Sequence, residues 1–274
     1  MPAVAGPRVH RVSVITIAFL AAFVLGVLTL IAADVFYRRP GVMLDAVLTA
    51  LRSPEIRYAI RLSLITSGIT LFLVVCVSVP IGYALSRYRF PGSVVLDAIV
   101  DLPIVLPPVV VGVSLLVFFR TAVGQGIESV PWLRFVYEPK GIVLCQFVMS
   151  ASYGIRASKA AFDGVDRRLE ALALTLGCTH GQAFRWVALP MARGGLAAGA
   201  VMAWARAVGI FGPLMVFTGA VRMKTEVMPT TVYLELSIGQ VEPALAVSML
   251  MLAIAMVALV LIHALGQAHR WWGT

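Results

Sequence analysis

The sequence predicts an all-α integral membrane protein with six transmembrane helices, and three observations carry that prediction. Of 274 residues, 60% are hydrophobic and only 13% charged, with a mean hydropathy of +0.95; soluble domains carry about 25% charged residues. Six stretches free of Asp, Glu, Lys and Arg lie between Arg11 and Asp34, Arg61 and Arg87, Asp101 and Arg120, Lys140 and Arg156, Arg193 and Arg206, and Glu242 and Arg270. Between the fourth and fifth stretches sits a charged segment, Asp166–Pro190, with a helical pattern of its own.

A spanning helix needs about 20 apolar residues, within a range of about 17–25. The first, second and sixth stretches meet this outright, and the third meets it at the short end. The first imitates a signal peptide, with Arg8 and Arg11 ahead of an apolar run. At about 22 residues the run exceeds the usual signal core of about 7–15, and no Ala-x-Ala-like cleavage site follows at a natural distance. The expectation is a retained helix. The mixed charges of residues 41–61 suit a partly amphipathic helix along the outer interface.

In the third stretch Pro103, Pro107, Pro108 and Gly112 predict a broken or bent helix. Backbone groups freed inside a bilayer are tolerated only where protein or a wet cavity satisfies them, which suits a helix lining a path or one kinked for packing. Asp97 and Asp101, at i and i+4, are expected to mark the cytoplasmic start of this helix, since carboxylates favour a helix N-terminus. The fourth stretch spans only if its helix continues past Arg156. The fifth does so only by continuing through Arg206 to about Val221.

Asp166 to Leu176 reads as a short helix with Leu169, Leu172, Ala173 and Leu176 on one face. Gly177 stands where a C-terminal glycine belongs. Thr179 with Gln182 fits a capping box for a second short helix, which Pro190 is expected to end. The segment should lie as helix, turn and helix at the cytoplasmic surface.

Arg206 is the membrane-embedded charge that most needs a partner. A buried guanidinium costs a few kcal/mol even on insertion scales, about 2.5–3.5 at a helix centre. It should face the bundle interior or a wet path, or else reach the headgroups or a dimer partner. Gly209, Phe211, Gly212 and Pro213 follow it and break regular packing.

The net charge of +9 is spread over every loop, without the continuous basic stripe or interleaved aromatics of a nucleic-acid site. Anionic lipid headgroups are its natural partners. Cys76 and Cys145 fall in apolar runs and Cys178 in the charged loop, so no structural disulfide is expected. The four histidines show no ligand spacing, and no metal site is expected. No phosphate-binding Walker A pattern occurs, so this chain should not hydrolyse ATP and is not expected to be an enzyme. With both ends in the cytoplasm, Lys and Arg other than Arg206 divide eleven inside and ten outside, so the positive-inside rule chooses no orientation.

The charged segment resembles the EAA loop of binding-protein-dependent ABC-transporter permeases of type I: Glu-Ala-Ala, three residues, Gly, nine residues, Ile-x-Leu-Pro. Gly177 is followed after nine residues by Val187-Ala188-Leu189-Pro190. The Glu-Ala-Ala positions hold Ala171, Leu172 and Ala173, with Glu170 one residue early. Phe90-Pro91-Gly92, Leu96-Asp97 and Leu102 to Gly112 are similar to the start of the third helix in molybdate and tungstate permeases. Ala205-Arg206-Ala207-Val208-Gly209-Ile210-Phe211-Gly212 is similar to the same subfamily's fifth-helix motif, where Gly-Glu-Phe-Gly is common; Ile210 replaces that glutamate. In the family pattern the glutamate lies four residues beyond the arginine, able to pair along one helix face. Lys224 to Pro229 is similar to a stretch shared by sulfate and molybdate permeases.

The resemblance covers roughly residues 58–265 and implies a MetI-like permease domain there. An N-terminal segment, 1–57, would hold the first helix and an outer loop, and a cytoplasmic tail would follow from 266 to 274. The coupling loop would occupy about 163–193, with Glu170, Ala173, Gly177, Thr179, Arg185, Leu189 and Pro190 engaging a cytoplasmic ATP-binding subunit. Arg206, Gly209, Phe211, Gly212, Pro103, Pro107 and Pro108 would lie on the translocation path. ATP and Mg would be bound by the partner, with no cofactor in this chain. A homodimer in the plasma (inner) membrane would receive molybdate or tungstate from an extracytoplasmic binding protein and expose one central path alternately to either side. A sulfate or thiosulfate permease is the alternative within the class. An ion-coupled transporter or channel is the alternative outside it, although inverted repeats and mid-membrane carboxylates are not evident.

Overall fold

The computed structural model describes residues 48–88 and 91–268, together with Ala22, Leu25, Gly26 and Thr29. The expectations for most of the first span, for residues 41–47, for Phe90 and for the tail beyond 268 lie outside the described residues. Every regular element among the described residues is helical. Those used below are α1 (Pro54–Arg87), α2 (Ser93–Val105), α3 (Pro108–Arg120), α4 (Ala122–Glu128), α5 (Pro139–Asp163), α6 (Arg167–Thr175), α7 (His180–Ala183), α8 (Leu189–Val208), α9 (Gly212–Phe217), α10 (Met228–Ser237) and α11 (Val241–Ala268).

Among the described residues three helices are long and apolar enough to cross a bilayer: α1, the run His180–Val208, and Val241–Ile262 within α11. The bent pair α2–α3 makes a fourth if counted as one span. α5 has the length, 25 residues, and continues past Arg156 to Asp163, as the fourth span required. Its polar stripe keeps it from standing out as apolar.

That stripe explains how the helices pack. Lipid tails supply no hydrophobic drive between helices, so small residues and interhelical hydrogen bonds hold them together. On α1, Ser63, Thr66, Ser67, Thr70 and Ser78 are buried, as are Gln146, Ser150, Ser152 and Ser158 of α5. Thr70 Oγ1 donates to Gln146 Oε1 at 3.0 Å, and Trp204 Nε1 of α8 donates to Ser67 Oγ at 3.1 Å. On α8, Gly195 and Gly199 face Ala161 and Ala157 of α5 so closely that added Cβ atoms would stand 2.7 and 2.5 Å from those side chains. The three helices α1, α5 and α8 therefore form the frame.

One expectation is met here and two are corrected. First, the third stretch is broken, as its prolines predict. α2 begins at Ser93, and α2 and α3 meet at 109°. Leu106 and Pro107 each precede a proline, whose ring disfavours the helical region for the residue before it; both are extended, with ψ of 138° and 131°. Pro103 sits inside α2 without ending it. Secondly, Pro190 does not end the second loop helix. A π-helical turn, Phe184–Ala188, carries the chain from α7 into α8, and the widened ladder accommodates the missing proline N–H. Thirdly, the fifth span gains its length in the opposite direction from the one expected: it starts at His180 and stops at Val208, where Gly209 caps it.

At the end opposite the charged loop, Glu226 is fully buried, and neither carboxylate oxygen has a hydrogen-bond partner among the described residues. Burial is the largest cause holding this carboxyl above the ordinary glutamate range; the nearby Thr231 hydroxyl and Arg222 oppose it, and Glu235 adds to it. The folded state thus binds a proton that the unfolded chain releases earlier. Its contribution to stability is complete below the ordinary glutamate range and is lost as pH rises through the raised value. Glu226→Gln is expected to flatten the fall in unfolding temperature, measured in detergent, as pH rises above the ordinary glutamate range; an unchanged pH profile would contradict this.

Candidate functional site

The charged segment folds locally as its residues dictate. Asp166 caps α6 by accepting from Arg168 N at 2.9 Å. Gly177 takes φ of +93°, with Gly177 N donating to Leu174 O and Cys178 N to Ala173 O, both at 3.1 Å. This is the Schellman closure that glycine permits. Thr179 and Gln182 form the reciprocal capping box, at 2.8 and 3.3 Å.

The loop has two faces. Glu170 and Ala173 point inward and are buried, whereas Leu169, Leu172, Leu176 and Trp186 are exposed, Leu176 at 78%. Arg185 and Pro190 are exposed too, and Leu189 is half-buried. Ala173 and the leucines therefore do not share one face in the fold: the leucines look outward and the alanine inward. Under the loop, Tyr83 packs edge-on against Phe162 and Phe184, with centroids 5.2 and 4.6 Å apart.

Glu170 departs from its expected place at a partner interface. Its carboxylate accepts from Arg87 Nε and from the Tyr83 hydroxyl, each at 2.7 Å, and the Arg87–Glu170 side chains are 8% and 11% exposed. Arg87 also donates to Val165 O at 3.1 Å, and Ser86 Oγ donates to Asp163 Oδ1 at 2.6 Å. The partner of Glu170 lies 83 residues away, a separation that helical periodicity does not reveal.

Asp97 and Asp101 are likewise corrected. They lie beyond the first turn of α2, which holds no acidic residue. Both grip Arg156 of α5: Asp101 accepts from its Nε at 2.5 Å and Asp97 from its Nη1 at 3.2 Å, while Lys159 stands 3.5 Å from Asp97. The i, i+4 spacing that suggested a helix start instead places two carboxylates on one face toward α5.

Of the expected path residues, the structure brings Pro108 and Gly212 together. α3 and α9 approach through two glycines: a Cβ on Gly112 would stand 2.8 Å from Pro213 Cα, and one on Gly212 would stand 3.1 Å from Val109. Phe211 packs at a tilt against Tyr233, with ring centroids 5.6 Å apart. Pro103 stays on α2, apart from this crossing. Arg206 is half-buried near the end of α8, with its guanidinium 5.5 Å from the centre of the Tyr153 ring. Its Nε is buried without a hydrogen-bond partner, and no carboxylate pairs with it among the described residues. The aromatic face offers the cation a partner that the sequence pattern does not reveal. Ile210 lies past the helix end, packed in the core with Met149 and Phe217, so this position does not share a helix face with Arg206.

Among the described residues no cluster of His, Cys, Asp and Glu could hold a metal ion. The geometry offers an exposed apolar face on the charged loop, a helix break between α2 and α3, and an arginine with no carboxylate partner among the described residues.

Comparison with known proteins bears on this arrangement. Residues 78–270 match the family described as binding-protein-dependent transport system inner membrane component. The chain is 36% identical to the molybdate/tungstate transport system permease protein WtpB of Thermococcus kodakarensis, over 73% of this chain and 75% of the relative. It is 33% identical to the molybdenum transport system permease protein ModB of Escherichia coli K12, over 77% and 94%. The sulfate transport system permease protein CysT of Salmonella typhimurium is 28% identical, over 78% and 77%. Among solved structures, a bacterial ABC transporter that imports alginate covers 97% of this chain with a TM-score of 0.71 at 18% identity, a likeness of fold alone.

Proposed function

Because this chain belongs to the family of binding-protein-dependent transport system inner membrane components, we propose that it is the permease subunit of an ATP-driven importer for molybdate or tungstate. The observation that carries the substrate is the 36% identity to a molybdate/tungstate permease across three quarters of that protein. The sulfate reading rests on a weaker likeness, 28%. An ion-coupled carrier does not fit membership of this family.

On this reading the exposed face of Leu169, Leu172, Leu176 and Trp186 receives a cytoplasmic ATP-binding subunit, which holds ATP and Mg. Two copies of the chain enclose the path, both termini are cytoplasmic, and a binding protein delivers the anion at the far end. The α2–α3 break and the α3–α9 crossing let one segment of the path change shape while the frame of α1, α5 and α8 stays packed. Arg206, with no carboxylate partner among the described residues, offers a passing anion its guanidinium without gripping it, as release requires.

The assembled complex is expected to raise its ATP hydrolysis when the binding protein arrives loaded with molybdate or tungstate, and not with sulfate. Gly177→Val in the same assay should abolish the response. Space around Gly177 is open, so the cost arises from the left-handed backbone that a β-branched residue resists. Normal co-purification of the ATP-binding subunit and a normal response with this variant would remove the docking role of the loop.

A further inference from the structure

The buried pair Arg87–Glu170 ties the loop to a helix with which it has no covalent continuity. The chain enters α6 from α5 and leaves α7 for α8. Beside the packing of Tyr83 on Phe162 and Phe184, α1 joins the loop through polar contacts near its C-terminal end: Arg87 on Glu170, Tyr83 on Glu170, Arg87 on Val165 O, and Arg167 on Ser86 O. At its other end α1 holds a different set of groups. Ser63 Oγ accepts from Met228 N at 2.8 Å, and the Tyr58 hydroxyl donates to Lys224 O at 3.2 Å. Lys224 in turn pairs with Glu138 at 2.6 Å. α1 is thus a strut of 34 residues, about 51 Å at 1.5 Å per residue, running from the loop to the opposite surface.

We propose that Arg87 and Glu170 are positioning residues that transmit movement of the loop to α1, and through it to the segment Arg222–Met228 at the far end. The inference rests on the reading of the loop as the seat of an ATP-binding subunit. Glu170 acts inside the chain, beneath the docking face, rather than across the interface. A charge pair suits this work because it holds direction as well as distance: Arg87 reaches two elements with separate nitrogens while Tyr83 fixes the second carboxylate oxygen.

The test uses the reconstituted complex of permease, ATP-binding subunit and binding protein. Glu170→Gln and Arg87→Lys keep size and part of the hydrogen bonding, and both should assemble with the ATP-binding subunit. Their ATP hydrolysis should lose its dependence on loaded binding protein by about tenfold, within the usual range for a coupling free energy between two sites. The exchange Arg87→Glu with Glu170→Arg should recover part of that dependence, which a role in packing alone would not produce. Two results overturn the proposal: conservative variants that respond to the binding protein like wild type, or variants that release the ATP-binding subunit, which would place Glu170 in docking. The readout does not depend on the identity of the anion, so a complex specific for another oxyanion would refute the substrate reading and leave this one standing.

Discussion

Gly199→Leu is expected to force α8 away from α5 and to leave little assembled protein. A Cβ at Gly199 would already lie 2.5 Å from the Ala157 side chain, and its neighbour one turn away is as tight, 2.7 Å from Ala161. Overpacking a core costs about 1–3 kcal/mol, occasionally more. Here the surplus atoms wedge apart two helices whose association in lipid depends on close approach, so the cost should reach about 3 kcal/mol or more. Thermal unfolding in detergent measures it, with Gly126→Leu as the control, since nothing lies within 4 Å of that position. Equal melting of Gly199→Leu and wild type would contradict the crossing.

Arg206→Ala is expected to cut anion uptake by tenfold or more while leaving assembly intact. A hydrogen bond to a charged group contributes roughly 1.5–3 kcal/mol, and each 1.36 kcal/mol is about tenfold in rate. Assembly should survive because alanine strands no carboxylate among the described residues; the Arg206 guanidinium rests on the Tyr153 ring. Arg206→Lys should keep part of the activity, since charge remains and the planar fork is lost. Uptake measured per folded complex separates the cases. Alanine variants that melt early yet transport normally would leave Arg206 a packing role.

What could be read from the chain follows the range of the forces involved. The Gly177 turn and the Thr179–Gln182 box depend on residues three to five apart, and both were legible in detail. The break at Pro107–Pro108 was legible because the proline ring constrains its neighbour; the 109° angle was not, because α9 packing through Gly112 and Gly212 sets it. Pro190 misled because proline usually ends helices, whereas a π-helical turn absorbs it here. Glu170, Asp97 and Asp101 were recognised as notable charges but given the wrong neighbours. Their partners Arg87 and Arg156 lie 55 to 83 residues away in sequence. Tyr153 was missed because an aromatic on a membrane helix carries no sign that it faces a cation.

Uptake of labelled oxyanions into vesicles tests the central claim most directly. The vesicles would hold this chain with its ATP-binding subunit, with ATP on the cytoplasmic side and the binding protein on the other. Molybdate and tungstate should accumulate, dependent on both ATP and binding protein, while sulfate should not. Accumulation of sulfate in place of molybdate, or uptake that persists without ATP or binding protein, would contradict the account.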